Sequence, residues 1–384
     1  MQMLPKSAPR PFRSRSWRGN WCAREKISQC KTDLRGSHMK AVVFEGPGLP
    51  LKLRELAAPS LGTNEVIVKV EACGICGSDL HATEPGPFLQ APGAVLGHEF
   101  AGTIVASSDP AVPEGLRATA VPVNVGGCDA CRESGSCQKG LGILCPSRRI
   151  TGLNRDLPGA YAEYVKVDSR QIVPLPDRVS FESGALAEPL AVGLHAVDLA
   201  GVQPGARVLV IGAGFIGLSV VLFAKLRGAA SVVVSERASA RREAARAAGA
   251  DDIIDPLAEA DLKAAFVARA GEAPDVIFEC VGAPGVIQTC IDAAAPRATL
   301  VVVGVCLKED AIWPARAVHK ELKLQFAMGY AAADFARVLD FLDRGEIVPD
   351  NLVTDRVSLS ELPNAFEALR RPEGQIKVII TPSN

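Results

Sequence analysis

The sequence contains no apolar run long enough to cross a membrane and no large excess of either charge. Its longest stretch without a charged residue, 208–224, has 17 residues and three glycines, whereas a membrane-spanning helix needs about 20 apolar residues. No internal repeat or low-complexity tract is visible, and 42 basic residues nearly balance 43 acidic ones. We therefore expect a soluble cytoplasmic protein whose partners include neither a membrane nor a nucleic acid.

The chain also lacks a secretory signal ahead of its 11 cysteines. Several of these, Cys280, Cys290 and Cys306, lie in apolar runs, where a thiol behaves as a small hydrophobic side chain. The absence of a signal favours a reducing compartment and cysteines without disulfides. At 384 residues with 48% apolar content, the chain is long enough for two cores and predicts two domains.

Residues 1–38 differ from the rest and show no helical or strand periodicity. They carry nine Lys or Arg against two acidic residues, a net charge of +7, so that residues 39–384 carry about −8. The segment is interpreted as an upstream start ahead of Met39, as an Arg- and Ser-rich transit peptide, or, around residues 36–39, as a cloning remnant. None of the three gives it a catalytic role, and we treat it as a disordered leader or a mis-assigned start.

After Met39 the sequence divides into two parts with different residue patterns. Up to about Gly159 the chain is rich in Gly, Pro and short alternating segments such as 65–70 and 102–106, which predict antiparallel strands closing a small barrel. From Arg207, candidate strands alternate with helical stretches such as 238–248, which predicts a doubly wound parallel sheet. The candidate strands are 208–211, 231–235, 252–254, 276–278, 300–303 and 322–326. A helix from Gly329 to Leu342 and a strand at 378–380 are predicted to complete the chain.

A glycine-rich turn points to a dinucleotide. The motif Gly212-Ala-Gly-Phe-Ile-Gly217 follows an apolar strand and opens an apolar helix, so its backbone can approach a pyrophosphate. Glu236 follows the next strand, 24 residues after Gly212, where about 20 is usual. A carboxylate there binds ribose hydroxyls and disfavours a 2′-phosphate, which favours NAD; Arg237 and Arg241 leave NADP possible. The predicted cofactor-binding residues are Gly212, Gly214, Phe215, Ile216, Gly217, Glu236 and Arg241.

A second motif points to a metal. Cys76, His98 and Glu99 supply a thiolate, an imidazole and a carboxylate within 24 residues, a donor set that suits catalytic Zn²⁺. Ser78 and His81 follow the cysteine by two and five residues, a position from which they can carry a proton to solvent.

Four further cysteines form a cluster of their own. Cys128, Cys131, Cys137 and Cys145 lie in a Gly-rich segment. Four thiolates with no open position predict a structural zinc site, and free thiols are the alternative.

These motifs resemble the zinc-dependent medium-chain alcohol dehydrogenases, most closely their polyol (sorbitol), butanediol and threonine dehydrogenase branch. The resemblance spans nearly all of residues 39–384 and includes 275–282 and 320–326. It implies a GroES-like β-barrel catalytic domain (39–191), a Rossmann domain (192–328) and a C-terminal segment (329–384) that rejoins the first domain. It also implies homodimers or homotetramers formed through the edge of the Rossmann sheet.

The resemblance implies roles for individual residues. The polyol branch has a glutamate where other members have cysteine, and Glu188 matches it, so that Glu188 is an alternative ligand to Glu99 and a candidate catalytic residue with Ser78 and His81. An acid followed five residues later by Arg, as in Glu236 and Arg241, accompanies NAD use. Three extra residues separate Cys131 from Cys137 relative to the family pattern, which predicts an altered lobe around the structural zinc.

The expected activity is hydride transfer from a secondary alcohol, diol or polyol to NAD(P), giving a ketone. The alternatives are a zinc-independent quinone or enone reductase and a non-catalytic NAD(P)-binding relative. Specificity is expected to depend on loops 84–90 and 305–313, and the apolar character of 84–90 favours a small diol or secondary alcohol over a sugar.

Overall fold

The structure, a computed structural model, describes residue 34 and residues 36–123 and 135–382. The strands that it describes are β1 His38–Phe44, β2 Lys52–Ala57, β3 Glu65–Gly74, β4 Ala94–Val95, β5 Glu99–Ser107, β6 Arg117–Ala120, β7 Tyr164–Asp168, β8 Ile172–Pro174, β9 Arg207–Ile211, β10 Ser231–Ser235, β11 Asp252–Ile254, β12 Val276–Glu279, β13 Thr299–Val302, β14 Lys323–Phe326, β15 Val353–Val357 and β16 Lys377–Ile380. The α-helices are α1 Gly77–His81, α2 Phe181–Ala185, α3 Ala187–Ala200, α4 Phe215–Leu226, α5 Ser239–Ala247, α6 Leu262–Ala270, α7 Val286–Ala293, α8 Pro314–Val318, α9 Ala332–Asp343 and α10 Leu362–Ala368.

Strands β1 to β8, together with β15 and β16 from the end of the chain, form two sheets. One has three strands in the order β2-β1-β4, and the other has seven, in the order β15-β16-β3-β5-β6-β8 with β7 also on β3. The long strand β3 lies in the middle of the larger sheet. Its apolar residues are buried, whereas Glu65, Lys69 and Glu71 stay partly exposed. The last strand, β16, pairs antiparallel with the end of β3, next to the start of α1.

The second sheet contains six parallel strands in the order β11-β10-β9-β12-β13-β14. Counted within this sheet, that is the 3-2-1-4-5-6 order of a Rossmann fold. Each predicted strand from 208 onward is present within two residues of its expected bounds. The central strands β9, β10, β12 and β13 are largely buried and contain continuous apolar runs, whereas β14 at the edge is exposed. The expected fold class, a GroES-like domain with a Rossmann domain, is confirmed.

The two sheets share one apolar core. The largest buried cluster includes Ala72 and Ala101 of the first sheet together with Val210 and Phe278 of the second. Helix α3 passes through this cluster, and Gly201 ends the helix in the left-handed conformation at φ 63°. Among the helices of the described residues, none is long and apolar enough to cross a membrane.

The contact between α3 and α4 leads to a stability prediction for Gly193→Ala. A Cβ at Gly193 would lie 2.0 Å from Ser219 Oγ and 2.6 Å from Ser219 Cβ. Alanine gains up to about 1 kcal/mol in helix propensity over glycine, but overpacking a core costs about 1–3 kcal/mol. We expect net destabilisation of about 1 kcal/mol or more, measured by urea unfolding. In a Ser219→Gly background the cost should largely disappear, and an equal loss in both backgrounds would contradict the packing explanation.

Candidate metal and cofactor site

Three predicted ligands meet at the start of α1 and of β5. Cys76 precedes α1, His98 precedes β5, and Glu99 is the first residue of β5. One ligand atom from each, a sulfur, a nitrogen and an oxygen, can be chosen so that all lie within 4.8 Å of one another. Among the described residues, this is the one group of at least three such side chains that could hold a metal ion. The donor set and its spacing fit Zn²⁺, which accepts S, N and O ligands and keeps a position open for chemistry.

Asp79 orients this group without belonging to it. Its fully buried carboxylate accepts hydrogen bonds from the Cys76 backbone N–H at 3.0 Å and the Tyr161 hydroxyl at 2.8 Å. The same carboxylate lies 3.3 Å from His98 Nδ1, which leaves Nε2 for a metal. Burial disfavours the imidazolium, but the charges of Asp79 and Cys76 together raise the pKa of His98 well above its usual value in the absence of metal.

The two predicted proton-carrying residues lie at opposite ends of α1. Ser78 Oγ donates to Cys76 Sγ at 3.2 Å and lies 3.3 Å from His98 Nε2, so the hydroxyl faces the donor atoms. His81 ends the helix, with 39% of its side chain exposed. The structure therefore places Ser78 beside the metal donors and His81 towards solvent.

Glu99 forms a buried ion pair with Lys377, a residue near the end of the chain. Lys377 Nζ donates to both carboxylate oxygens of Glu99, at 2.8 and 2.7 Å, and to the Ile75 carbonyl at 3.0 Å. Lys377 is 4% exposed and Glu99 is not exposed, so each charge depends on the other. A Cβ at Gly74 would lie 2.0 Å from Glu99 Oε2, which shows how closely the backbone approaches this carboxylate.

Glu188 lies outside the group of three donors. It is in the first turn of α3, is 8% exposed, and lies beside the buried side chain of Tyr330. Burial raises the pKa of Glu188 to about 7, and the nearby charges of His98 and Glu99 act on it in opposite directions. The structure thus brings Glu188 near the site but does not group it with Cys76, His98 and Glu99.

The glycine-rich turn has the form that a dinucleotide needs. Gly212 has φ +97°, and a Cβ at Gly217 would lie 1.9 Å from the Gly212 carbonyl oxygen, so helix and strand meet closely. Gly214 caps α4, and a Cβ there would meet nothing within 4 Å. Phe215 is buried and Ile216 half-buried in the first turn. The backbone N–H groups of this helix end remain available for a pyrophosphate.

Glu236 is bonded to the glycine turn itself. Its carboxylate accepts from the Ala213 N–H at 2.8 Å and from the Ala238 N–H at 2.9 Å. Arg241 instead donates to the Gln375 carbonyl at 3.0 Å and so connects α5 to the C-terminal segment. Arg237 is exposed. Glu236 is thus placed at the turn by the strand that precedes it.

The predicted structural zinc cluster is only partly visible. Cys128 and Cys131 lie outside the described residues, Cys137 is half-buried and Cys145 is buried. The second zinc therefore stays a prediction.

Three residues of the site were missed from the sequence: Tyr161, Tyr330 and Lys377. Each acts across a long sequence separation; Lys377, for example, is 278 residues from Glu99. The sequence offered one local indication for Lys377, a lysine at the start of an otherwise apolar strand. Lysine is almost never fully buried unless it is paired, so a lysine at this position indicates a buried partner. The contact of Asp79 with His98 was not predicted from the sequence either.

Comparisons with known proteins agree with this geometry. The family model described as "Alcohol dehydrogenase GroES-like domain" matches residues 62–177, and that described as "Zinc-binding dehydrogenase" matches residues 216–344. The chain is 31% identical over 354 residues to sorbitol dehydrogenase of Bacillus subtilis (strain 168), covering 90% of this chain and 98% of that one. It is 32% identical over 345 residues to (R,R)-butanediol dehydrogenase of the same organism, covering 87% and 97%.

A solved structure is similar over the same range. A zinc-binding dehydrogenase from Sinorhizobium meliloti 1021, bound to NADP, superposes with a TM-score of 0.82 at 33% identity, covering 90% of this chain and 100% of that one. Fold and site together define an NAD(P)-dependent alcohol dehydrogenase that uses zinc. Within that class, the chain belongs to the zinc-dependent medium-chain alcohol dehydrogenase family, in its polyol dehydrogenase branch.

The contact between Asp79 and His98 predicts a zinc-affinity defect in Asp79→Asn. The substitution keeps the shape but removes the charge that orients and polarises the imidazole, so zinc affinity should fall about 10- to 100-fold. Competition with a chromophoric chelator measures this loss. Tyr161→Phe, which removes one neutral donor to Asp79, should lose less; equal affinity in Asp79→Asn and the unsubstituted protein would refute the role of Asp79.

Proposed function

We propose that this enzyme oxidises a small secondary alcohol or vicinal diol to a ketone, with NAD as hydride acceptor. The observation that carries the proposal is the meeting of Cys76, His98 and Glu99 within 4.8 Å, with Ser78 beside them. The substrate class is inferred from relatives in the same branch of the family, which are named sorbitol and butanediol dehydrogenases.

Cys76, His98 and Glu99 would hold the catalytic zinc, with Glu188 as the alternative carboxylate. Bound zinc supplies Lewis acidity to the substrate hydroxyl, and bound NAD supplies the hydride acceptor. The Lys377–Glu99 pair keeps the Glu99 carboxylate in place without burying an uncompensated charge.

Ser78 and His81 would move the proton that the alcohol releases. Ser78 Oγ is 3.3 Å from His98 Nε2, the nitrogen left for the metal, so its hydroxyl is placed to accept a hydrogen bond from the substrate. His81, at the solvent end of α1, would take the proton by way of the cofactor ribose and release it to water.

The preference for NAD rests on Glu236. Its carboxylate is held at the glycine turn by two backbone N–H groups, where its negative charge disfavours a 2′-phosphate. Arg241 is bonded to the Gln375 carbonyl, which favours a role in holding the C-terminal segment. Because the solved structure from Sinorhizobium meliloti holds NADP, both cofactors belong in the assay.

The preference for a small substrate rests on the loop 84–90. Phe88 and Leu89 expose 40% and 38% of their surface there, and neither side chain offers a hydrogen bond to a hydroxyl-rich sugar. A site that does not bond the extra hydroxyls of a polyol leaves them without partners.

We predict that zinc removal abolishes alcohol oxidation and that the enzyme prefers 2,3-butanediol to sorbitol. Initial rates of NADH and NADPH formation would be measured for protein beginning at Met39, with 2,3-butanediol, sorbitol, xylitol, threonine and simple secondary alcohols. A chelator should remove activity and zinc should restore it, and kcat/KM for the diol should exceed that for sorbitol by about tenfold or more.

A Cys76→Ala variant should lose activity by more than about 100-fold, since several kcal/mol of stabilisation disappear with the metal. Enone reduction that survives complete zinc removal would instead support a zinc-independent reductase. A higher kcat/KM for sorbitol would refute the small-substrate preference alone.

We further propose that two copies associate through β14, an edge of the Rossmann sheet. Within the described residues β14 pairs on one side only, with β13, and all four of its residues are exposed. Phe326 is 62% exposed, and Trp313 and Val318 nearby in the chain are 59% and 71% exposed. An edge strand left open favours pairing with another strand, and a second copy supplies an identical one. In β14, Leu324 and Phe326 add exposed apolar surface to that edge.

Phe326→Lys should therefore halve the molecular mass measured by light scattering after size exclusion, because a charge cannot be buried at the shared edge without a partner. Leu257→Lys is the matched control, since Leu257 is an exposed apolar residue, 73% exposed, elsewhere in the Rossmann domain. A monomeric unsubstituted protein, or an unchanged mass for the Phe326 variant, would refute this interface.

We also propose a second metal site, a domain organisation and a cellular location. The structural zinc would bind Cys128, Cys131, Cys137 and Cys145, and a domain organisation of 39–191, 192–328 and 329–384 would place both metals in the first domain. A cytoplasmic location is supported by Cys73, Cys76 and Cys290, which form no disulfide.

A further inference from the structure

We propose that Glu84, held by Arg370, is a positioning residue for His81 in the proton relay. The inference rests on the proposed function, because it assumes that His81 carries the proton released by the substrate. It adds to that function a pair of residues, one from the loop after α1 and one from the C-terminal segment, that set the orientation of the imidazole.

The first observation concerns the ring nitrogen that faces the protein. Nδ1 of His81 is buried and has no hydrogen-bond partner among the residues that the structure describes. The carboxylate oxygen Glu84 Oε2 lies 4.0 Å from this nitrogen. A buried polar nitrogen left unpaired is costly, and a small rotation of either side chain would bring the two into hydrogen-bond distance.

The second observation is that Glu84 is itself held. Arg370 Nη1 donates to Glu84 Oε1 at 2.8 Å, which leaves Oε2 for His81. Arg370 Nη2 donates to Thr83 Oγ1 at 2.8 Å, and the Thr83 hydroxyl donates to the Leu80 carbonyl at 2.8 Å. The guanidinium therefore fixes two consecutive residues of the loop that follows His81.

The third observation is that Arg370 is anchored on the opposite side. Its Nε donates to Glu367 at 2.8 Å, and its guanidinium carbon lies 5.5 Å from the centre of the Phe366 ring. Phe366 is fully buried and packs edge-on against Tyr161, the residue that bonds Asp79. The end of α10 is thus attached both to the loop after His81 and to the group that orients His98.

The chemistry follows from the two nitrogens of imidazole. A carboxylate that accepts from Nδ1–H fixes the ring in the tautomer whose Nε2 is free to accept a proton. The same carboxylate stabilises the imidazolium that forms during transfer, as expected for an oriented general base. Glu84 would act through His81, and Arg370 through Glu84, so neither needs to touch substrate or cofactor.

The test compares Glu84→Gln with Glu367→Gln in the zinc- and NAD-loaded enzyme. Glu84→Gln should lower kcat for alcohol oxidation roughly tenfold, less than the 10²–10⁴-fold range of general acid–base catalysis because His81 remains. The KM for alcohol and the Kd for NADH should stay within about twofold, since binding groups are untouched. Added triethanolamine, a base that can replace a relay in solution, should restore part of the lost rate. Glu367→Gln weakens the anchor of Arg370 but leaves the carboxylate opposite His81, so its kcat should fall clearly less.

His81→Asn separates this inference from the function on which it rests. If His81→Asn leaves kcat and the response to base unchanged, the proposed relay is wrong and the role of Glu84 falls with it. If His81→Asn lowers kcat with rescue by base but Glu84→Gln does not, the relay stands and the positioning role is refuted. Equal losses in the Glu84 and Glu367 variants without rescue would show that the contacts only stabilise the end of α10.

Discussion

The site depends on the buried ion pair between Lys377 and Glu99. Two charges removed from water are tolerated only when each neutralises the other and their remaining hydrogen bonds are satisfied. Lys377 meets this requirement with both oxygens of Glu99 and with the Ile75 carbonyl, and its ammonium lies 4.8 Å from the centre of the Phe215 ring. One side chain thus connects Glu99 at the start of β5, the residue before Cys76 and the first turn of the cofactor helix.

This pair explains why the C-terminal segment matters to chemistry near the start of the fold. Strand β16 carries Lys377 into the larger sheet beside β3, and α10 places Phe366 against Tyr161. The Gln375 carbonyl, between them, accepts from Arg241 of the cofactor domain. The C-terminal segment therefore contacts both the metal donors and the domain that carries the nucleotide turn. We expect a substitution at one of these two sites to alter the other.

Local patterns in the sequence were sufficient to predict much of this protein. The central Rossmann strands β9, β10, β12 and β13 were predictable because each contains a short apolar run. Cys76, His98 and Glu99 were predictable because they are few in number, close in sequence and chemically matched to zinc. The contact of Asp79 with His98 was not predictable, because nothing in the local sequence shows which way a carboxylate faces.

By itself the sequence determined the fold class, the glycine turn and the three side chains that are proposed as zinc ligands, all of which follow from short-range spacing and residue chemistry. Only the tertiary structure decided which partners the acidic side chains of the site have: Tyr161 for Asp79, Tyr330 for Glu188 and Lys377 for Glu99. It also placed Arg370 against Glu84, 286 residues earlier in the chain. The physical reason is that burial of polar groups demands partners, and in a chain folded into two packed sheets those partners come from whichever strand or helix the topology brings alongside.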